Sequence, residues 1–140
     1  MEYKVGYKFT TKRRTITDDD IILFAGLTGD WHPAHLDDIY AKNSIFGKRV
    51  AHGFLTLSIL QGLLAQHKIV EDIIALLGIN NVKFKSPVFV GDTIWSECEI
   101  TDSRESKSRP NNFIVTIHCI GKKQDNSDVL EYEVIELMKY

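Results

Sequence analysis

The sequence predicts an α+β domain in which an antiparallel sheet wraps around one long central helix. Residues 51–70 would be apolar on nearly every side of a helix, with no acidic residue and one lysine, which is typical of a largely buried helix. Segments 93–104, 112–123 and 129–140 follow, and short polar turns separate these strand-like stretches. Long consecutive strands with short turns favour an antiparallel sheet. An apolar helix must be buried, and this sheet can cover it.

The segment before this core predicts smaller elements. A short strand is expected at 5–9. Thr17 can cap a helix whose first turn carries three aspartates, where the helix dipole favours negative charge, and Gly29 can end it. A second helical piece is expected at 37–42.

The central helix and the first long strand can be described further. About 18 helical residues would give a helix ~27 Å long at the usual rise per residue. Residues 74–93 contain a strand with Ile79, Val82 and Phe84 on one face and lysines on the other. Cys98 and Cys119 lie far apart in the sequence, so we expect buried, reduced thiols and no disulfide framework.

Composition excludes several classes of function. The 140 residues are the ordinary size of one domain, so we expect residues 1–140 to form a single domain. A net charge of −2 argues against electrostatic binding to nucleic acid or an anionic membrane. No apolar run approaches the ~20 residues that span a bilayer, and the N-terminal residues lack a secretory signal, so a cytoplasmic protein is expected. Function is therefore sought in a small-molecule site.

The stretch TGDWHPAHLD, residues 28–37, is the candidate site. Pro33 disfavours a helix through its middle, so Asp30 and His35 are expected to project from a compact turn. A carboxylate near an imidazole fixes the orientation and tautomer of the ring and raises its pKa toward the range for proton transfer. Together the two groups could hold one water molecule and exchange its proton.

Two other interpretations of this stretch stay open on the residues alone. Asp30 could cap the helical piece after the loop while His35 only packs there. Asp30, His32 and His35 could instead bind a metal ion, but a proline inside the spacing is unlike helical zinc motifs and no other ligand cluster is close. The sequence therefore favours a site without metal.

Three segments in order carry a resemblance to a known family. They are FAGLTGDWHPAHLDDIYA (24–41), KRVAHGFLTLSIL (48–60) and VKFKSPVFVGDTI (82–94). They resemble the signature segments of the MaoC-like, (R)-specific enoyl-CoA hydratase family, whose loop pattern is Gly-Asp-x-Asn-Pro-x-His. The resemblance implies a hot-dog fold, with the helix as the sausage and the sheet as the bun. It also implies at least a homodimer with substrate entering near the subunit interface.

The resemblance also implies a reaction and roles for individual residues. The family reversibly hydrates a trans-2-enoyl thioester, usually of coenzyme A, and needs no other cofactor. Its catalytic aspartate and histidine fall on Asp30 and His35. The backbone N–H of Gly53 would stabilise the thioester oxyanion, which suits the positive end of a helix. Trp31 and Phe54 could line the acyl pocket, although aromatic residues serve a core equally well.

One departure from the family pattern is His32, which stands where the family has asparagine. We expect a structural role for this imidazole, and its bulk and charge could alter substrate preference.

Two other functions stay open: a hot-dog acyl-CoA thioesterase, and a non-catalytic acyl-CoA-binding or regulatory protein that has lost turnover. Many of those hydrolases place a carboxylate on the central helix, and residues 51–70 contain none.

Overall fold

The computed structural model describes residues 3–139 and contains four α-helices and six strands within that range. The helices are α1 (Asp18–Thr28), α2 (Pro33–Leu36), α3 (Asp38–Lys42) and α4 (Gly53–Ala65), followed by a 3-10 turn at Lys68–Val70. The strands are β1 (Lys8–Thr10), β2 (Arg14–Thr15), β3 (Ile73–Phe84), β4 (Thr93–Glu105), β5 (Asn112–Lys123) and β6 (Asp128–Lys139).

The strands form one antiparallel sheet in the order β1-β4-β5-β6-β3, and β2 also pairs with β4. The sheet packs around α4, and the contact is tight where Leu60 of the helix lies against Gly121 of β5, because a Cβ on that glycine would come within 2.6 Å of the Leu60 side chain. The predicted α+β class is confirmed, and the architecture is that of a hot-dog fold. No helix in the described part of the chain is long and apolar enough to cross a membrane.

Most predicted boundaries lie within a residue or two of the observed ones. Thr17 caps α1 through a capping box with Asp20, and Gly29 ends it in the left-handed region with φ 81°. The predicted strand at 5–9 is displaced to Lys8–Thr10, although Gly6 and Tyr7 already share backbone hydrogen bonds with Ile100 of β4. Tyr140, the last residue of the predicted final strand, lies outside the described residues.

The central helix is shorter than predicted. Helix α4 has 13 residues, or about 20 Å at 1.5 Å per residue. It ends at Gln66 because His67 is extended and its Nδ1 accepts the backbone N–H of Ile69, which starts the 3-10 turn. Ile69 and Val70 after the helix are buried, so the apolar run continues past the helix itself. One face of α4 is exposed, including Phe54, whose side chain the sequence placed in a buried helix.

Strand β3 lies at the edge of the sheet and pairs only with β6, with three register shifts along its length. Its exposed large apolar residues are Ile73, Ile74, Leu76, Leu77, Ile79 and Phe84. An edge strand leaves unpaired backbone groups, and exposed apolar side chains beside them are a liability for a free monomer.

A carboxylate is buried between α4 and the sheet. Glu136 of β6 is 1% exposed, and its Oε1 accepts a hydrogen bond from Gln61 Nε2 at 3.1 Å. Glu136 Oε2 and Gln61 Oε1 are buried without a hydrogen-bond partner. Burial raises the pKa of Glu136 above its usual value, because the interior disfavours the charged form. Gln61 therefore faces the sheet and not the candidate loop.

We expect Glu136→Gln to raise the free energy of unfolding by about 1–3 kcal/mol at pH 8, because an amide can satisfy Gln61 Oε1 without a buried charge. Because the pKa of Glu136 is raised, its contribution to the free energy of unfolding falls as pH rises. The advantage of the variant should therefore shrink toward pH 4. Urea unfolding at both pH values measures this, with the exposed Glu97→Gln as control. An advantage that is larger at pH 4 would contradict it.

Candidate active site

The loop between α1 and α2 is folded by local hydrogen bonds. Asp30 Oδ1 accepts the backbone N–H of His32 at 3.3 Å, and His32 Nδ1 accepts the N–H of Ala34 at 3.1 Å. His32 is thus the N-cap of α2, and Pro33 is its first residue. As expected, no helix runs through Pro33: α1 ends at Thr28, and α2 begins at Pro33, where the missing N–H of proline is not needed. Asp30 and His35 are therefore not on one helical face.

The cap of the next helix settles one open interpretation. Asp37 caps α3, and its Oδ1 accepts the N–H groups of Ile39 and Tyr40 at 2.9 and 3.0 Å. Asp30 therefore does not cap the helical piece after the loop. His32 supplies the turn-holding hydrogen bond that a short polar side chain would otherwise provide at this position.

His35, on α2, is held by a backbone carbonyl. Its Nδ1 lies 2.6 Å from the carbonyl oxygen of Val50. A carbonyl only accepts, so Nδ1 carries the proton and Nε2 is left with a lone pair when the ring is neutral. The sequence assigned this orienting role to Asp30, and in the structure Val50 performs it.

Burial lowers the pKa of His35 below its usual 6.5, and this outweighs the opposing effects of the Val50 carbonyl and the Asp30 charge. The nearby His52 and His32 lower it further. The expected rise in pKa is therefore wrong, because desolvation of the ring is stronger than the attraction of the exposed carboxylate. A lowered pKa keeps the imidazole neutral at pH 7, so that its Nε2 keeps a lone pair that can accept a proton.

Asp30 and His35 converge, and His52 joins them. One polar atom from each of the three side chains lies within 4.8 Å of the other two. One water molecule can bridge groups at such a separation, since each hydrogen bond spans about 2.8 Å. The set has metal-ligand chemistry, with His52 in place of His32. One nitrogen of each ring donates to a carbonyl, which leaves a lone pair on Nε2 of His35 and on Nδ1 of His52.

Arg49 ties the three short helices together around His35. Its Nε donates to Asp38 at 2.7 Å, and its Nη1 donates to Asp18 at 2.8 Å and to the carbonyl of His35 at 3.4 Å. This guanidinium therefore joins the starts of α1 and α3 to the backbone of the histidine.

The N-terminus of α4 faces the same region. His52 is its N-cap residue but makes no side-chain capping bond, so the first backbone N–H groups of the helix keep no side-chain acceptor. Gly53 is the first helical residue. A Cβ there would come within 2.8 Å of the Phe84 ring, so this close packing alone accounts for a glycine at the position.

A cavity of about 360 Å³ extends from His35 to Gly53 at the start of α4. Its polar wall includes His35, Gly53 and Thr56. Its apolar wall consists of Phe46, Val50, Ala51, Phe84, Pro87, Val88 and Val129. Trp31 and Phe54, which the sequence suggested as acyl-pocket residues, are largely exposed and lie outside this lining.

The sequence-predicted site lacks three features that the structure shows. His52 lies against His35, the Val50 carbonyl holds the ring, and Phe84 covers Gly53. The AHG stretch, whose histidine precedes Gly53, is a signal that could have indicated the first. The other two depend on long-range packing that no local pattern indicates.

Comparison with known proteins gives consistent matches. The family described as MaoC like domain matches residues 2–122. The chain is 45% identical over 93 residues to Protein MaoC from Klebsiella aerogenes, a match covering 66% of this chain and 28% of that protein. It is 40% identical over 104 residues to an (R)-specific enoyl-CoA hydratase from Aeromonas caviae, covering 74% and 75% of the two chains.

A solved structure agrees with the fold. The crystal structure of a MaoC-like dehydratase from Rhodospirillum rubrum superposes with a TM-score of 0.86 at 29% identity, covering 97% of this chain and 92% of that one. The likeness therefore includes nearly all of the sheet and the helices that carry the candidate site.

The Asp30→Asn variant should lower the pKa of His35 further, because the Asp30 charge favours the protonated ring. Histidine resonances followed by NMR over a pH titration measure this pKa directly. Asp19→Asn, an acidic residue in the first turn of α1, serves as the matched control and should leave it unchanged. A rise in the pKa of His35 in Asp30→Asn would contradict the placement of the two groups.

Proposed function

We propose that this chain, which belongs to the MaoC-like domain family, reversibly adds water across the double bond of a trans-2-enoyl thioester of coenzyme A to give the (R)-3-hydroxyacyl thioester. The observation that carries the proposal is the convergence of Asp30 and His35 beside a cavity that also reaches the start of α4. The named relatives support the reaction class, since one of them is an (R)-specific enoyl-CoA hydratase.

In the proposed mechanism, Asp30 and His35 hold one water molecule between them. The water oxygen bonds to C3 of the enoyl group, one of its protons passes to the pair, and a proton is delivered to C2, so the atoms balance as addition of H₂O. The low pKa of His35 suits this role, because a neutral Nε2 can accept a proton from water at pH 7.

The negative charge that develops on the thioester oxygen needs preorganised donors. The start of α4 supports such a role, because the Gly53 N–H lies at the positive end of the helix and at the wall of the cavity. The proposed reaction uses coenzyme A only as part of the substrate and needs no metal or other cofactor.

A thioesterase is the less favoured enzyme. Helix α4 carries no carboxylate, and the buried Glu136 that faces it is bonded to Gln61. A loss of turnover through His32 is also less favoured, because its ring caps α2 as a structural residue and leaves His35 free to act. Release of free thiol from crotonyl-CoA would support the thioesterase, and binding without turnover would support the regulatory protein.

Asp30→Asn and His35→Ala should each lower kcat for hydration of crotonyl-CoA by at least about 100-fold, because each removes one of the two groups that hold the water. The fall in enoyl absorbance measures the rate. Asp19→Asn and His67→Ala are matched controls outside the lining of the cavity and should keep the rate. Near-normal rates in both site variants, with unchanged melting temperatures, would refute the assignment.

The proposal includes a homodimer formed through β3, in a cytoplasmic protein. The support is the exposed apolar edge described above, which a second copy could pair with and cover. Charge complementarity to nucleic acid or to a membrane surface is not expected at a net charge of −2.

Leu77→Glu should shift the protein toward monomer, because it places a charge in the apolar edge that the second copy would bury. Sedimentation velocity across a range of protein concentrations measures the association. Val5→Glu makes the same change near the opposite edge of the sheet, and it should leave the association intact. Equal sedimentation of both variants and the parent would rule out the β3 interface.

A further inference from the structure

His52 is the most buried polar side chain next to the site. It is 2% exposed, and its ring stacks on the ring of His35 with centroids 3.9 Å apart and planes 29° apart. The ring of Phe24 packs on it from α1 at 4.9 Å. Its Nε2 lies 3.0 Å from the backbone carbonyl oxygen of Asp30.

These contacts define where the proton of His52 lies. The carbonyl of Asp30 can only accept, so Nε2 donates to it. Nδ1 is buried and has no hydrogen-bond partner. A proton on Nδ1 in place of Nε2 would leave a buried donor unsatisfied and would remove the hydrogen bond to the Asp30 carbonyl.

We propose that His52 is a positioning residue that holds Asp30 and His35 in register with the start of α4. Its Nε2–H fixes the backbone of Asp30, and its ring supports one face of His35. Because His52 is bonded covalently to Gly53, the same residue sets the distance between the water-holding pair and the amide donors of the helix. The part that concerns turnover rests on the proposed hydratase function; the geometry does not.

A proton-carrying role for His52 fits the contacts less well. One ring nitrogen is bonded to a carbonyl and not to the Asp30 carboxylate, and the other is enclosed without a partner. Misplacement of reacting groups by 1 Å can cost about 100-fold in rate, so a positioning contact is sufficient to make this residue important.

The first test needs no activity. Long-range ¹H–¹⁵N spectra of the unmodified protein at pH 8 report the tautomer of each histidine. We expect the proton of His52 on Nε2 and that of His35 on Nδ1. A His52 proton on Nδ1 would overturn the proposal, whatever the protein catalyses.

The second test separates the hydrogen bond from mere filling of space. His52→Leu removes the donor, and His52→Gln keeps an N–H that can reach the carbonyl of Asp30. We expect kcat on crotonyl-CoA to fall about 10- to 100-fold in His52→Leu, with KM changed less than about threefold, and to be largely restored in His52→Gln. Equal loss in both variants, or no loss in a folded His52→Leu, would overturn the positioning role.

A third variant and a control distinguish loss of the hydrogen bond from a general loss of folding. His52→Phe keeps an aromatic ring against His35 without the donor and should behave like His52→Leu. His67→Leu makes the matched change in a histidine at the far end of α4 and should keep kcat. If the parent protein hydrates no enoyl thioester, the proposed function fails, while the tautomer result still decides the positioning geometry.

Discussion

The backbone segment 49–52 is the constraint on which the candidate site depends. The carbonyl of Val50 holds the His35 ring, and the backbone N–H of Ala51 donates to Val88 at 2.7 Å. Arg49 on one side joins the starts of α1 and α3, and His52 on the other bonds to Asp30. Four consecutive residues therefore connect the loop, the short helices and the β3–β4 connection just before α4 begins. The site is thus fixed by this main-chain segment and not by the loop alone.

This arrangement explains why a half-buried histidine stays neutral beside an acid. A carboxylate that oriented the ring directly would raise the pKa of the ring through its negative charge. Here a neutral carbonyl orients the ring, so desolvation dominates and the pKa of His35 falls. Asp30 is left exposed at the loop, where it can accept hydrogen bonds from water without being tied to the imidazole.

The sequence predicted the elements whose signals are local. Thr17 and Gly29 bound α1 as expected, and the period-two strand at 112–123 agrees with β5. The end of α4 was missed because buried apolar residues also follow the helix. An apolar sequence pattern indicates which residues are buried and not where the helical hydrogen bonds end. The pairing of Asp30 with His35 was predicted from spacing and resemblance, whereas the partner of each ring nitrogen depends on residues brought in from another segment.

Strand β3 contributes both to the proposed dimer interface and to the cavity of the candidate site. Its middle presents the exposed apolar edge, and its last residue, Phe84, lies against Gly53 in the wall of the cavity. The register shifts along β3 show that its pairing with β6 is irregular. A second copy that pairs with the edge would restrain this strand and, with it, the ring that covers the start of α4. In the proposed dimer, assembly and the shape of the cavity would be coupled through one strand, because the same backbone forms the edge and carries the aromatic wall.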